Sequence, residues 1–254
     1  MNKITVIGSG NVGSTIAYTL TVMGLASEIV MIDVDEEKSL GEALDIRQGV
    51  PFCSPATIYA GSYADAVRSD IVVITSGMAR KPGQSRLDLA QANVDIIKSI
   101  ADKIVPVAPN ATYVIVSNPV DVMTYVFAKV SGIPENQVIG SGTILDTARL
   151  RCGISEHFEV AQKNVHAYVF GEHGDTSFVP WSCASISAVP MDKYTEVMAK
   201  TGKEYAPIDK EAMEEYVRKS GGKIIAKKGA TFYAVSASVC QLVSKLVAAS
   251  ESMA

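Results

Sequence analysis

Residues 3–17 read Lys3-Ile4-Thr5-Val6-Ile7-Gly8-Ser9-Gly10-Asn11-Val12-Gly13-Ser14-Thr15-Ile16-Ala17. Ile4 to Ile7 is a β-branched run and predicts a strand, while Asn11 to Met23 predicts a helix. Between them Gly8-Ser9-Gly10-Asn11-Val12-Gly13 spells GxGxxG. In a strand-turn-helix setting, Gly8 allows the tight turn, Gly10 lets backbone approach a pyrophosphate, and Gly13 allows helix and strand to pack closely. The helix start then offers N–H groups and a partial positive charge to phosphates. Many glycine-rich turns are only turns, so a second feature matters. The next strand ends in Met31-Ile32-Asp33, about twenty residues past the last glycine, where a carboxylate accepts hydrogen bonds from ribose hydroxyls and repels a 2′-phosphate. The pattern points to NAD rather than NADP.

The same rhythm continues outward. Glu28 to Ile32 predicts a strand and Asp35 to Gly49 a helix. Ile71-Val72-Val73-Ile74 is wholly apolar, Arg86 to Val107 is helical, Tyr113 to Val116 is a buried strand, and Pro119 to Val130 is a helix with proline in its first turn. Strands apolar on both faces belong to parallel sheets covered by helices. The expected fold is α/β: a doubly wound parallel sheet over residues 1–140, followed by an α+β domain over 141–254. In the second part Thr143 to Cys152 begins a helix, Val165 to Phe170 is a strand, and Asp209 to Tyr216 and Ala230 to Ala249 are helical. Lys193 to Pro207 is polar and reads as a surface connection.

Composition narrows the class. Of 254 residues, 48% are hydrophobic and 20% charged, which excludes a disordered chain. Lys plus Arg is 23 against 27 for Asp plus Glu, a net charge of -4, which argues against a protein held on nucleic acid by phosphate contacts. Cys53, Cys152, Cys183 and Cys240 are scattered without metal-ligand spacing, as in a cytoplasmic protein with reduced thiols. Met1-Asn2-Lys3 runs directly into the first strand, with no leader, and no apolar run reaches membrane-spanning length.

Three further segments carry chemistry. Ser76 to Arg86 (SGMARKPGQSR) is a Gly/Pro-bearing loop with three long cations after an apolar strand, where open α/β sheets bind ligands. Alone, such a loop is more often solvated surface. Asp146-Thr147-Ala148-Arg149 places an acid and an arginine on one helix face, as either a surface ion pair or an acceptor beside a bidentate carboxylate clamp. Gly171-Glu172-His173-Gly174-Asp175 sets a histidine at an exposed tip after a strand.

With GSGNVG, ARKPGQSR, Val116-Ser117-Asn118-Pro119-Val120-Asp121, SGTILDTARLR over residues 141–151, and GEHGD in this order, the chain resembles the L-lactate/L-malate dehydrogenase family over essentially its whole length. The resemblance implies NAD as cofactor and a small 2-oxo or 2-hydroxy acid as substrate. It implies His173 as general acid/base, Asp146 as the acceptor that stabilises its imidazolium, Arg149 as the carboxylate clamp, and Arg86 as the loop residue that polarises the carbonyl. Asn118 would contact substrate and nicotinamide. Val12, Lys38, Tyr63, Gly77, Val116 and Ser141 match further cofactor positions, and Thr231 a substrate-pocket wall. No metal is implied.

Substrate choice in the family turns on the residue six places before the loop arginine, here Arg80. Lactate enzymes usually carry Gln there; malate enzymes carry Arg for the second carboxylate of oxaloacetate. Against that, Glu172 in GEHGD, Trp181-Ser182, Thr231 and SGTILDTARLR resemble lactate enzymes. L-lactate dehydrogenase therefore stands first and malate dehydrogenase second. Arg151 and His166 match positions that form a fructose 1,6-bisphosphate site at a subunit interface in bacterial lactate dehydrogenases, and the family implies a homo-oligomer, dimer or tetramer. The family also continues beyond the helix that follows Thr231, so the substrate domain is expected to be incomplete and the face of Phe232 to Val247 to expose apolar surface. A nucleotide-binding module without activity is the non-enzyme alternative.

Overall fold

The computed structural model describes residues 2–78 and 86–248, the side chains of 86–89 excepted. The chain forms two compact units. One comprises Met1–Ser141 and Phe232–Ala254, the other Gly142–Thr231. The sequence reading drew one boundary near residue 140, whereas the packing draws two, because the chain returns to the first unit after Thr231.

In the first unit, strands β1 (Lys3–Ile7), β2 (Glu28–Ile32), β3 (Thr57–Ala60), β4 (Ile71–Ile74), β5 (Thr112–Ile115) and β6 (Val138–Gly140) form one sheet in the order β3-β2-β1-β4-β5-β6. All five pairings are parallel. This is the expected doubly wound sheet, with helices α1 (Asn11–Val22), α2 (Glu36–Gly49), α3 (Arg86–Ile104) and α4 (Val120–Ser131) between its strands. Every residue of β4 is buried, as its uninterrupted apolar run requires. The sequence did not reveal β3 or β6, which are short and lack a continuous apolar pattern. Strand order reverses between β1 and β4, and Ile7 pairs with both Ile32 and Ile74. The segments after β1, β2 and β4 therefore leave the sheet at one level, at the switch point where such sheets bind ligands.

The last helix, α8 (Tyr233–Val247), packs on α1. Ser236, Val239, Cys240 and Val243 recur at helical spacing and are buried. Ser236 Oγ donates to Val12 O at 3.3 Å, and the Cys240 thiol lies 3.7 Å from Ile16 O. The expectation that this helix exposes its apolar face is thus corrected: that face is spent on α1. Exposure is confined to positions such as Tyr233 and Leu246.

The second unit is built on α5 (Ile144–Phe158), whose Leu150, Ile154 and Phe158 enter a core with Val165, Val169, Ile186 and Val217. A small antiparallel sheet joins β7 (Val165–His166), β8 (Ser185–Ile186) and β9 (Val189–Pro190). Helices α6 (Met191–Ala199) and α7 (Lys210–Lys228) complete it. Three sequence expectations change here. The polar stretch from Lys193 holds most of α6, whose Met191 and Tyr194 are buried under a polar outer face. The strand expected to reach Phe170 stops at His166, and Phe170 instead pairs with Phe178 across the loop between them. Helix α7 continues well past Tyr216, through Ser220-Gly221-Gly222, although a glycine pair disfavours a helix interior. Among the described residues no helix is long and apolar enough to cross a membrane.

Candidate active site

In the first unit the glycine turn is locked from both sides. Gly8 has φ +104°, and a Cβ placed on Gly13 would lie 1.7 Å from Gly8 O, so the helix can start this close to the strand only with glycine there. Asp33 binds the same turn. Its Oδ2 accepts the Ser9 N–H at 2.5 Å, and its Oδ1 accepts the Asp35 N–H at 3.0 Å. Behind it the Ser9 and Ser39 hydroxyls are 2.8 Å apart, and Ser39 donates on to Met31 O. Asp33 thus does a second task that the sequence does not show: it organises the turn as well as marking the strand tip.

The start of α1 differs from those of the other capped helices. Its N-cap is Gly10, with no side-chain cap and no acidic residue in the first turn. By contrast Asp35 caps α2 and Asp209 caps α7. A Cβ on Gly10 would meet nothing within 4 Å. The first-turn N–H groups of α1, which a helix cannot satisfy internally, thus carry positive partial charge with no side-chain cap of their own. That is the donor set a pyrophosphate needs, and the residues present fit NAD.

The other residues expected at the cofactor follow strand ends or begin helices of the same sheet. Tyr63 is half-buried; burial and the nearby charge of Asp33 both raise its phenol above the usual range. The Lys38 N–H donates to Asp35 Oδ1 in the first turn of α2, and the Lys38 side chain is exposed. Val12 is half-buried at the start of α1. Gly77 follows β4; Val116 follows β5 and is tied to the end of β4 by Val116 N–H to Ile74 O at 2.9 Å. Ser141 donates its N–H to Ile115 O. Asn118 is exposed two residues further along the same strand-end segment. Arg80 and Gln84 lie outside the described residues, as does the side chain of Arg86, whose backbone begins α3.

One residue the sequence reading missed joins these segments. Asn93, 2% exposed on α3, accepts the Met78 N–H at 2.8 Å and donates to Asn118 O at 2.8 Å. Its signal was a lone amide on the otherwise apolar inner face of a helix. Such a group must find partners or be strongly unfavourable.

In the second unit Asp146 is 4% exposed on α5 and serves two groups at once. Its Oδ2 lies 2.5 Å from His173 Nδ1, and its Oδ1 3.0 Å from Arg149 Nη1. A carboxylate only accepts, so the imidazole carries its proton on Nδ1. The sequence left Asp146 and Arg149 open between a surface pair and a working one. The two side chains are 5% and 13% exposed, so the pair is not a solvated surface one. Arg149 lies flat on α7: a Cβ on Gly221 would sit 3.4 Å from its Nη2. The glycine pair inside α7 was the available signal for that close approach. Thr231 is half-buried in the connector after α7. Arg151 donates through Nε to Ala167 O and stacks 4.9 Å over the Tyr168 ring, beside the strand that carries exposed His166.

These arrangements coincide with matches to known proteins. Residues 2–140 match the lactate/malate dehydrogenase NAD binding domain, and residues 143–254 match the lactate/malate dehydrogenase alpha/beta C-terminal domain. The L-lactate dehydrogenase of Thermoanaerobacter pseudethanolicus is 47% identical over 246 residues, covering 96% of this chain and 77% of the relative. L-lactate dehydrogenase 1 of Clostridium acetobutylicum is 44% identical over 96% of this chain and 77% of the relative. Among solved structures, a lactate dehydrogenase from a Medee basin deep-sea metagenome library superposes with a TM-score of 0.91 at 39% identity, covering 96% of this chain and 76% of that one. The malate dehydrogenase of Picrophilus torridus gives 0.87 at 33% identity, covering 97% and 76%. A buried aspartate paired with a histidine beside an arginine, a glycine turn shaped for a dinucleotide, and family matches over both halves lead to one conclusion: the chain belongs to the lactate/malate dehydrogenase family.

Proposed function

We propose that this protein is an NAD-dependent L-2-hydroxy-acid dehydrogenase that interconverts pyruvate and L-lactate: pyruvate, NADH and a proton give L-lactate and NAD+. The observation that carries the reading is Asp146, which holds His173 and Arg149 with its two oxygens at 2.5 and 3.0 Å. NADH, when bound, supplies the hydride to the carbonyl carbon. His173 gives the carbonyl oxygen its proton through Nε2, because Nδ1 is committed to Asp146, and takes it back in the reverse direction. Asp146 stabilises the imidazolium and fixes the ring. Arg149 binds the substrate carboxylate through its planar fork. Arg86 polarises the carbonyl, and Asn118 and Thr231 contact the substrate.

The cofactor is assigned to the domain of residues 1–140, with Ser141 just past its end: Gly8, Gly10, Val12 and Gly13 at the pyrophosphate, Asp33 at the ribose, and Lys38, Tyr63, Gly77, Val116, Asn118 and Ser141 along the rest. The substrate domain is assigned to 141–254 in chain order, of which Gly142–Thr231 form the second compact unit while α8 packs back on the first. The family matches over 2–140 and 143–254 support this division. We place the enzyme in the cytoplasm, consistent with four cysteines that form no disulfide.

NADH oxidation followed at 340 nm with pyruvate and then oxaloacetate tests the reading. Pyruvate turnover is expected to dominate; tight NADH binding without turnover of either acid would favour a binding module. Arg80 favours a second reading, malate dehydrogenase, because a desolvated arginine needs an anion and pyruvate brings only one carboxylate. The substitution Arg80→Gln is expected to raise the pyruvate-to-oxaloacetate ratio of kcat/KM. An unchanged ratio would show that Arg80 does not select the substrate.

We further assign a homo-oligomer, dimer or tetramer, and fructose 1,6-bisphosphate as an effector at Arg151 and His166. The reading is supported by the guanidinium lying beside the His166 strand. Saturating sugar bisphosphate that changes neither kinetics nor oligomeric state would refute it.

A further inference from the structure

His173 sits in a glycine-flanked loop, its Nδ1 bonded to Asp146 Oδ2 at 2.5 Å. Glycines lie at 171 and 174, and Gly171 has φ +89°. The loop closes on a single pairing, in which Phe170 N–H donates to Phe178 O at 2.9 Å and Phe178 N–H returns to Phe170 O at 3.0 Å. Inside it, Ser177 donates from both N–H and Oγ to Gly174 O. Helix α7 ties the returning limb of the loop. Arg218 Nη1 donates to Ser177 O at 3.2 Å and to Glu214 Oε2 at 3.3 Å, one turn earlier on the helix. The other oxygen of Glu214, Oε1, accepts Trp181 Nε1 at 2.8 Å. One ion pair thus grips the returning limb of the loop at Ser177 and again at Trp181. Val217, between the two charged residues, is buried in the core and anchors this part of the helix.

We propose that Arg218, braced by Glu214, is a positioning residue for His173. It acts through the loop: it sets where the loop lies, and hence where Nε2 meets the carbonyl oxygen. The next turn of α7 carries Gly221, on which Arg149 rests. One helix therefore supports both the acid/base and the carboxylate clamp, but through different residues. A surface ion pair with no such role contributes little, and its loss would leave kinetics alone. Loss of a positioning tie is different, because a displacement near 1 Å at the reacting atoms can lower rate about 100-fold.

The inference rests on the proposed dehydrogenase reading, so its test uses two independent measurements on the full chain. In Arg218→Met, kcat for pyruvate reduction is expected to fall at least tenfold. KM for pyruvate and Kd for NADH should stay within twofold, because Arg149 and the glycine turn are untouched. Arg218→Lys, which keeps one charged donor, should recover most of the rate. Hydrogen exchange supplies the second readout: Ser177 and Phe178 amides should lose protection in Arg218→Met while α5 and α8 keep theirs. A wild type inactive on every 2-oxo acid would refute the dehydrogenase reading, with exchange at Ser177 and Phe178 still deciding whether Arg218 holds the loop. Unchanged kcat and unchanged exchange in Arg218→Met would overturn the proposal. So would a fall in kcat matched by uniform loss of protection across the unit, with no rescue by Lys.

Discussion

Replacing Asp146 by Asn alters one charge and almost no volume, which makes it the sharpest probe of the site. The carboxylate has two donors to satisfy, His173 Nδ1–H at 2.5 Å and Arg149 Nη1 at 3.0 Å. An amide has one oxygen, so one donor must face an N–H group. Arg149 is always charged and keeps the oxygen. The amide N–H then points at Nδ1, which can accept only if the imidazole moves its proton to Nε2. The ring is thereby held in the wrong tautomer for receiving a proton from lactate, and its charged form loses its counter-charge. A hydrogen bond to a charged group contributes about 1.5–3 kcal/mol. Placed wholly in the transition state, that is a loss of roughly 10- to 150-fold in kcat/KM. The loss should fall mainly on kcat, because Arg149 retains its partner. NADH oxidation at 340 nm across a pyruvate series, with circular dichroism to confirm folding, measures it. A folded Asp146→Asn protein within threefold of wild-type kcat/KM would refute the reasoning, and so would a loss confined to KM.

Other consequences follow from single contacts. Gly13→Ala puts a methyl group 1.7 Å from Gly8 O and must move backbone, so calorimetry should find NADH binding lost before any loss of pyruvate recognition. Gly221→Ala brings only an ordinary contact, 3.4 Å from Arg149 Nη2, and removes a helix-interior glycine. It should stabilise by about 1 kcal/mol, raising Tm by about 2–4 °C with KM for pyruvate within twofold, whereas Gly221→Val should displace the guanidinium and raise KM tenfold. Burial pushes the Tyr113 phenol up to about 12, and its hydroxyl donates to Ala108 O. A pKa raised on folding adds stability that is complete below the unfolded value near 10 and is lost as pH climbs toward 12. Denaturant titrations from pH 8 to 11 should therefore show falling stability above pH 10, and Tyr113→Phe should flatten part of that slope.

What could be read from sequence alone was whatever depends on neighbours along the chain. The runs Ile4–Ile7, Ile29–Ile32 and Ile71–Ile74 announce buried parallel strands because every residue is apolar or β-branched, and β2 and β4 end where the pattern ends. The glycine turn and Asp33 were legible because a tight turn and a strand-tip acid are local requirements. Asp146 and Arg149 were legible as a pair three residues apart, but not as a buried one. Residues whose partners lie far along the chain were not legible. Asn93 bonds Asn118, Arg218 bonds Ser177, and Ser236 bonds Val12 across 224 positions. Nothing in the spacing of α8 says that it returns to α1, and Gly221 signals a close approach without saying that an arginine from α5 makes it. Local pattern determined which elements form and which residues carry chemistry. Tertiary packing alone decided which oxygen holds which nitrogen, because burial removes water as a competing partner and makes each surviving contact obligatory.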